Sequence, residues 1–143
     1  MIILINPKYP ANLGAAVRLA SAWDMRSVIW TGNRVTFEDG ERTPRELRMR
    51  EYAHIHAAKV DRPFDQIPQG HIPVAIEVLD HSENLMDFVH PLQAAYVFGP
   101  EDGSIPAHLL RLCHRFVSIP TPHCINLATA IATVAYDRKV KLR

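Results

Sequence analysis

Short apolar runs recur at Met1–Ile5, Ser27–Trp30, Val74–Val78, Ala94–Phe98 and Phe116–Ile119, and mixed polar and apolar stretches of helical period fill the intervals between them. These runs lack the in-and-out alternation of a half-wetted sheet, so they read as strands buried on both faces. The intervening patterns predict helices over Asn12–Met25, Pro44–Tyr52, Ser82–Phe88, Pro106–Cys113 and Asn126–Arg138, with a further strand near His54–Ala57. That β/α order predicts a parallel sheet with helices on both sides. No internal repeat, low-complexity tract or domain linker interrupts it, and the Pro-containing stretch Arg62–Pro73 reads as a surface connection. A single domain over residues 1–143 is the expectation.

Three strand-to-loop-to-helix junctions concentrate residues suited to ligand binding. In the first, Asn6–Ala20, a Pro-rich turn follows the apolar start and a helix opens near Asn12, a residue type that caps exposed N–H groups. Gly14 permits close approach there, and Arg18 lies one helical turn further on. The second, Tyr96–Pro106, runs from a strand into a Gly/Pro turn carrying Glu101 and Asp102, with a helix expected from Pro106. In the third, Val117–Arg138, Pro120 and Pro122 stop the strand, and an alanine-rich helix restarts at Asn126. Backbone donors and acceptors left free at such junctions are available to a ligand.

Together these segments resemble the signature motifs of the SPOUT class of RNA methyltransferases, in its TrmH-like branch of ribose 2′-O-methylating enzymes. The first motif of that family reads roughly N-x-G-x-x-x-R, matched by Asn12, Gly14 and Arg18. The second reads roughly F-G-x-E-x-x-G-L-P, matched by Phe98, Gly99, Glu101, Ile105 and Pro106, with Ser104 in place of the glycine. The third reads roughly I-P-M, a variable loop, then S-x-N-L-S/A, matched by Ile119, Pro120, Asn126, Leu127 and Ala128. Thr121 stands where methionine is usual there, and Cys124 where serine is usual. The resemblance implies an α/β fold, a parallel sheet flanked by helices with a deep C-terminal trefoil knot, overriding the general rarity of knots. It also implies S-adenosylmethionine bent into the knot and held by backbone groups of three loops, and a homodimer that completes each active site.

The site residues carry over by motif. The resemblance places Ile76, Glu77, Gly99, Ile119, Cys124 and Leu127 around the cofactor, and Arg18 at the target ribose. A guanidinium stays protonated in water, so acting as base on a 2′-hydroxyl requires help from a neighbouring RNA phosphate; positioning that phosphate and stabilising the developing alkoxide is the cheaper role. Asn12 serves equally as a helix cap or a substrate contact. Glu101 orders either the knot loop or Arg18, and Asn126 caps the last helix or orders the catalytic pocket. Cysteine at 124 exchanges a good hydroxyl donor for a weak thiol, which matters only if the side chain makes the contact.

Charge adds one local feature. The net charge is only +1, so any RNA footprint is confined to a patch. Arg42, Arg45, Arg48 and Arg50 form such a patch on the helix expected at Pro44–Tyr52, and suit phosphate binding; the interleaved Glu41, Glu46 and Glu51 equally suit a solvated, ion-paired face. The tail Asp137–Arg143 is also basic. It fits RNA binding or a favourable placement of cations at a helix C-terminus.

Composition agrees with one well-cored unit: 143 residues with 48% hydrophobic content. No apolar run approaches membrane-spanning length and no secretory leader pattern appears, which leads to the expectation of a soluble, cytoplasmic protein. Cys113 and Cys124 are too few for a disulfide framework. With His114 and His123 they form two Cys/His pairs, but adjacent residues project in different directions, so no metal site is expected. The resulting reading is S-adenosylmethionine-dependent methylation of a ribose 2′-OH of RNA, tRNA and its wobble nucleotide ahead of rRNA. A non-catalytic cofactor- or RNA-binding module of the same fold is the alternative from another class. A generic nucleotide-binding α/β enzyme lacks its Gly-x-Gly-x-x-Gly turn here.

Overall fold

The computed structural model describes residues 1–36 and 44–142. Seven strands, all paired in parallel, form one sheet: β1 (Ile2–Leu4), β2 (Ser27–Trp30), β3 (His56–Lys59), β4 (Ile72–Ile76), β5 (Glu83–Asn84), β6 (Ala94–Phe98) and β7 (Arg115–Ser118), in the order β3-β2-β1-β6-β4-β7-β5. Three α-helices accompany them, α1 (Pro10–Ala22), α2 (Ala107–Leu110) and α3 (Leu127–Lys141).

Alternation along each buried strand assigns the two faces. Ile2 and Leu4 join Val28, Trp30, Val74, Tyr96, Phe98 and Val117 under α1 and α3, which supply Leu13, Ala16, Val17, Ala20, Ile131, Val134 and Ala135. Ile3 and Ile5 join Ile29, Ala75, Ala95 and Val97 on the other face, which Ile105, Phe64, Ile67, Leu109 and Leu110 cover from short turns and α2. The apolar runs are thus covered on both sides through β1, β2, β4 and β6, whereas Val78, expected to end the third run, lies beyond β4 and is exposed.

Three expected helices take other forms. Pro44–Tyr52 is two 3₁₀ turns, Arg45–Leu47 and Arg50–Tyr52, separated by an extended Met49 (φ −83°, ψ 135°). Leu47 and Tyr52 both pack on the large core; five residues apart on an α-helix they would point about 140° apart, and the break at Met49 brings both inward. Ser82–Phe88 is β5 followed by a turn over residues 85–87. Ser82 Oγ donates to the Glu77 carbonyl at 2.8 Å, and Arg115 grips Glu83 through two bonds of 2.6 and 2.7 Å, which draws the segment to the sheet edge. Of the helix expected over Pro106–Cys113 only α2 is α-helical. The strand expected near His54–Ala57 is β3, displaced by two residues, and β4 likewise begins and ends two residues early.

α3 is tied down along its length by its own basic end. Lys139 pairs with Asp24 at 2.6 Å, Arg138 donates to the Leu92 carbonyl at 2.7 Å, and Lys141 reaches the carbonyls of Leu85, Met86 and Phe88. The buried His90 bridges Tyr96 Oη (2.6 Å) and Asp137 (2.8 Å). These tail cations serve the fold. Arg143 lies outside the described residues.

Candidate functional site

Parallel registration brings four strand ends level. Leu4 pairs with Phe98, Phe98 with Ile76, and Ile76 with Val117, so the loops after β1, β6, β4 and β7 emerge together at the carboxyl edge of the sheet. β1 and β6 are neighbours, yet the chain leaves β1 through α1 toward β2 and leaves β6 through α2 toward β7, on the opposite side. A crevice at such a divergence is where open α/β sheets bind ligands.

Beside this divergence, over the ends of β6, β4 and β7, lies a pocket of ≈ 160 Å³. All six residues assigned to the cofactor from the motifs, Ile76, Glu77, Gly99, Ile119, Cys124 and Leu127, line it, together with Glu101. Its walls are apolar (Ile76, Phe98, Ile119, Ile125, Leu127, Ala130), and polar groups sit at the strand ends. The Glu77 carboxylate accepts from Ile105 N at 2.9 Å and Val78 N at 3.1 Å, joining the loop after β4 to the loop after β6. Gly99 allows this closure, because a Cβ there would stand 3.1 Å from Ile105 N.

Asn12, Glu101 and Asn126, from three separate motifs, form one hydrogen-bonded chain. Asn12 Nδ2 donates to Glu101 Oε1 at 2.7 Å, and Asn126 Nδ2 donates to Asn12 Oδ1 at 3.3 Å. Glu101 also accepts from Lys8 N (2.7 Å) and Tyr9 N (3.3 Å), so the carboxylate satisfies donors at the entry to α1. Partial burial pushes its carboxyl up, but the bonds from Asn12, Lys8 and Tyr9 outweigh that and leave it below its ordinary value. Asn12 is therefore not the cap of α1: Tyr9 precedes Pro10 at that end, and Asn12 is buried inside the first turn. Asn126 does cap α3, its Oδ1 accepting from Ala128 N at 2.8 Å and Thr129 N at 3.3 Å.

Arg18 is not part of this pocket. It projects from α1, 58% exposed, and pairs with Glu46 at 2.7 Å rather than with Glu101. Arg45, Arg48 and Arg50 are exposed on the two 3₁₀ turns nearby, and Arg42 lies outside the described residues. Sequence reasoning missed Ser118 and Thr121 in the pocket lining. Thr121, at the position where methionine was expected, donates from Oγ1 to the His123 carbonyl at 2.8 Å and closes the loop on itself. Strand-end position would have flagged Ser118, and the replaced motif residue would have flagged Thr121. Among the described residues no three His, Cys, Asp or Glu side chains converge in a metal-holding arrangement.

The profile of the SpoU rRNA Methylase family matches residues 1–136. A sequence search of curated proteins gives no significant match. Among solved structures, the SpoU methyltransferase AviRb from Streptomyces viridochromogenes, in complex with AdoMet, superposes with a TM-score of 0.79 at 20% identity; the match covers 99% of this chain and 59% of that one. A structure concerned with 2-OH methylation of C/U34 on tRNA gives 0.80 at 21% identity, covering 99% of this chain and 94% of the other. The A. aeolicus TrmH/SpoU tRNA modifying enzyme gives 0.79 at 17% identity, covering 99% and 74%. This chain thus spans less than two thirds of the AviRb chain and nearly all of the C/U34-related one.

Proposed function

Because the chain belongs to the SpoU rRNA methylase family, we propose that it transfers a methyl group from S-adenosylmethionine to a ribose 2′-hydroxyl of RNA, with tRNA the first substrate and rRNA the second. The observation that carries this reading is a pocket lined by the second and third motif segments and the end of β4, with the first motif tied to both by the Asn126–Asn12–Glu101 chain. The pocket suits an adenosyl group: apolar walls for the purine, and strand-end main chain for its polar edge. At ≈ 160 Å³ it is smaller than the roughly 300 Å³ at which small-molecule sites begin, so a whole cofactor also occupies the open mouth. The C-terminal knot belongs to the same reading.

When bound, the cofactor supplies an electrophilic methyl group on its sulfonium. The chain's own residues do the rest. Glu77 and Gly99 keep the loops after β4 and β6 closed around the pocket. The Asn126–Asn12–Glu101 chain fixes the loop after β7 against the start of α1, so the pocket and the helix carrying Arg18 keep one relative placement. Arg18 binds the RNA phosphate beside the target ribose and stabilises the negative charge that develops on the 2′-oxygen as its proton passes to solvent water. Since Arg18 lies outside the pocket of its own chain, a homodimer in which one protomer's Arg18 faces its partner's pocket is the arrangement that completes the site. Tyr136 and Val140 are exposed on α3, with Trp23 stacked edge-on against Tyr136 at 5.6 Å, and offer apolar surface to such a partner.

The test is calorimetric titration with S-adenosylmethionine, then transfer of labelled methyl to unmodified bulk tRNA and to rRNA, with Arg18→Ala as control. Binding with transfer that the variant abolishes supports the enzyme. Binding without transfer to either RNA favours the non-catalytic module, and absence of binding defeats the cofactor assignment.

A further inference from the structure

The Arg18–Glu46 pair has an unequal geometry. Arg18 is 58% exposed and Glu46 only 14%, so the carboxylate is the inner partner, pressed onto α1 by the turn Arg45–Leu47. Gly14 admits it: a Cβ at that position would stand 2.5 Å from Glu46 Oε2 and 3.0 Å from Pro44 Cβ, so a side chain there pushes the carboxylate aside. Leu47 anchors the same turn on the core. Outward, the segment presents Arg45, Arg48 and Arg50, with Glu51 among them. A groove of ≈ 440 Å³ lies beside it, its lining mostly apolar, Trp30, Leu47 and Ile55 included, with Glu46, Arg48 and Arg50 as its charged members; Arg18 itself is not in that lining.

We propose that Glu46 is a positioning residue for Arg18 that occupies the place of a phosphate, holding the guanidinium in the RNA-free protein and yielding it to a phosphodiester of substrate RNA laid along this groove. Carboxylate and phosphate both present oxygens that match the guanidinium fork, so the exchange replaces one anionic partner of Arg18 by another. On the Arg18 side it is cheap, because the guanidinium is 58% exposed and keeps most of its water in either pairing. The exposed arginines of the same segment draw RNA to the groove, which makes the exchange local. The inference deepens the proposed function, resting on Arg18 as the group that meets RNA.

Affinity for unmodified bulk tRNA, measured by fluorescence anisotropy on wild type, Glu46→Gln, Arg18→Ala and the double variant, tests it. Removing the competing carboxylate tightens binding about two- to fivefold, and the gain disappears in the Arg18→Ala background. Glu46→Asp, which keeps the charge, returns affinity toward wild type. Equal or weaker binding by Glu46→Gln overturns the inference, as does a gain that persists without Arg18, since that would be only the loss of a negative charge near RNA. A second readout needs no RNA: phenylglyoxal modification of Arg18, followed by peptide mass spectrometry, proceeds faster in Glu46→Gln than in wild type. Unchanged modification defeats the inference whatever RNA does. Faster modification with no RNA binding by any form would instead defeat the RNA reading of the protein and leave Glu46 as a merely structural partner.

Discussion

The pocket at the strand ends and the surface around Arg18 are built by opposite means. The pocket is drawn together by contacts between residues far apart in the chain, such as Asn126 to Asn12 across 114 positions and Asn12 to Glu101 across 89, and each polar group in that chain bonds within the protein. The Arg18 surface consists of an exposed ion pair to a turn 28 positions away and a row of exposed arginines. The first region is pre-formed and self-sufficient. The second is held by interactions that water and salt weaken, which suits a surface that must exchange partners when a polyanion arrives. On the proposed function, cofactor and RNA are thus served by a rigid region and an adjustable region, which a homodimer brings together from two chains.

The largest effect separates the two halves outright. Arg18→Ala lowers methyl transfer to tRNA by about 10² to 10³, the scale of losing one group that stabilises developing negative charge, while S-adenosylmethionine affinity by calorimetry stays within about twofold. A parallel loss of cofactor affinity would mean that Arg18 belongs to the rigid half after all.

Gly99→Val attacks the rigid half instead. The new Cβ meets Ile105 N at 3.1 Å and the Ser104 carbonyl carbon at 3.3 Å, both backbone atoms that cannot swing aside. Overpacking of this kind costs about 1–3 kcal/mol, so cofactor affinity falls roughly tenfold or more as the loop after β6 is pushed away. Affinity for tRNA in the absence of cofactor is unchanged if the halves are as independent as their construction indicates.

Glu101→Ala breaks the link between them. It strips acceptors from Lys8 N, Tyr9 N and Asn12 Nδ2, which by the scale of lost helix-end acceptors costs about 1–2 kcal/mol in urea denaturation. Hydrogen bonds hold the Glu101 carboxyl below its ordinary 4.5 despite the burial that raises it. Its contribution to stability is therefore complete above pH 4.5 and disappears as pH falls through the lower folded value. Glu101→Gln should flatten that acid limb of the stability profile, and an unchanged limb would show that other carboxylates control it.

How much of this could be read from the chain follows the same division. Buried strands announce themselves as unbroken apolar runs, and motif residues at their ends placed six cofactor-pocket positions that the fold brings together. Asn126 was legible as a cap because polar residues before an alanine-rich run have few other uses. Asn12 was not, because its role depends on Glu101, which approaches from 89 residues away. Ser82–Phe88 carried a helical pattern, but the Arg115–Glu83 fork and Ser82's bond to Glu77 are tertiary facts that override local preference. The segment Pro44–Tyr52 failed for a related reason: two anchors, Leu47 and Tyr52, must reach one core, and a single α-helix cannot turn both inward.

The smallest effect concerns the substitution that most distinguishes this pocket. Cys124 is exposed and lines the pocket in a loop whose shape depends on bonds that do not involve its side chain: Thr121 N donates to the Ile119 carbonyl at 2.8 Å, and Thr121 Oγ1 donates to the His123 carbonyl at 2.8 Å. Since the loop closes without the thiol, the thiol's weakness as a donor does not alter the loop's shape. Cys124→Ser is therefore expected to leave S-adenosylmethionine affinity within about twofold, below the full worth of a new hydroxyl bond, about 0.5–1.5 kcal/mol. A tenfold gain would place the side chain inside the binding contact, and would make this cysteine a genuine weakening of the rigid half rather than a neutral occupant of it.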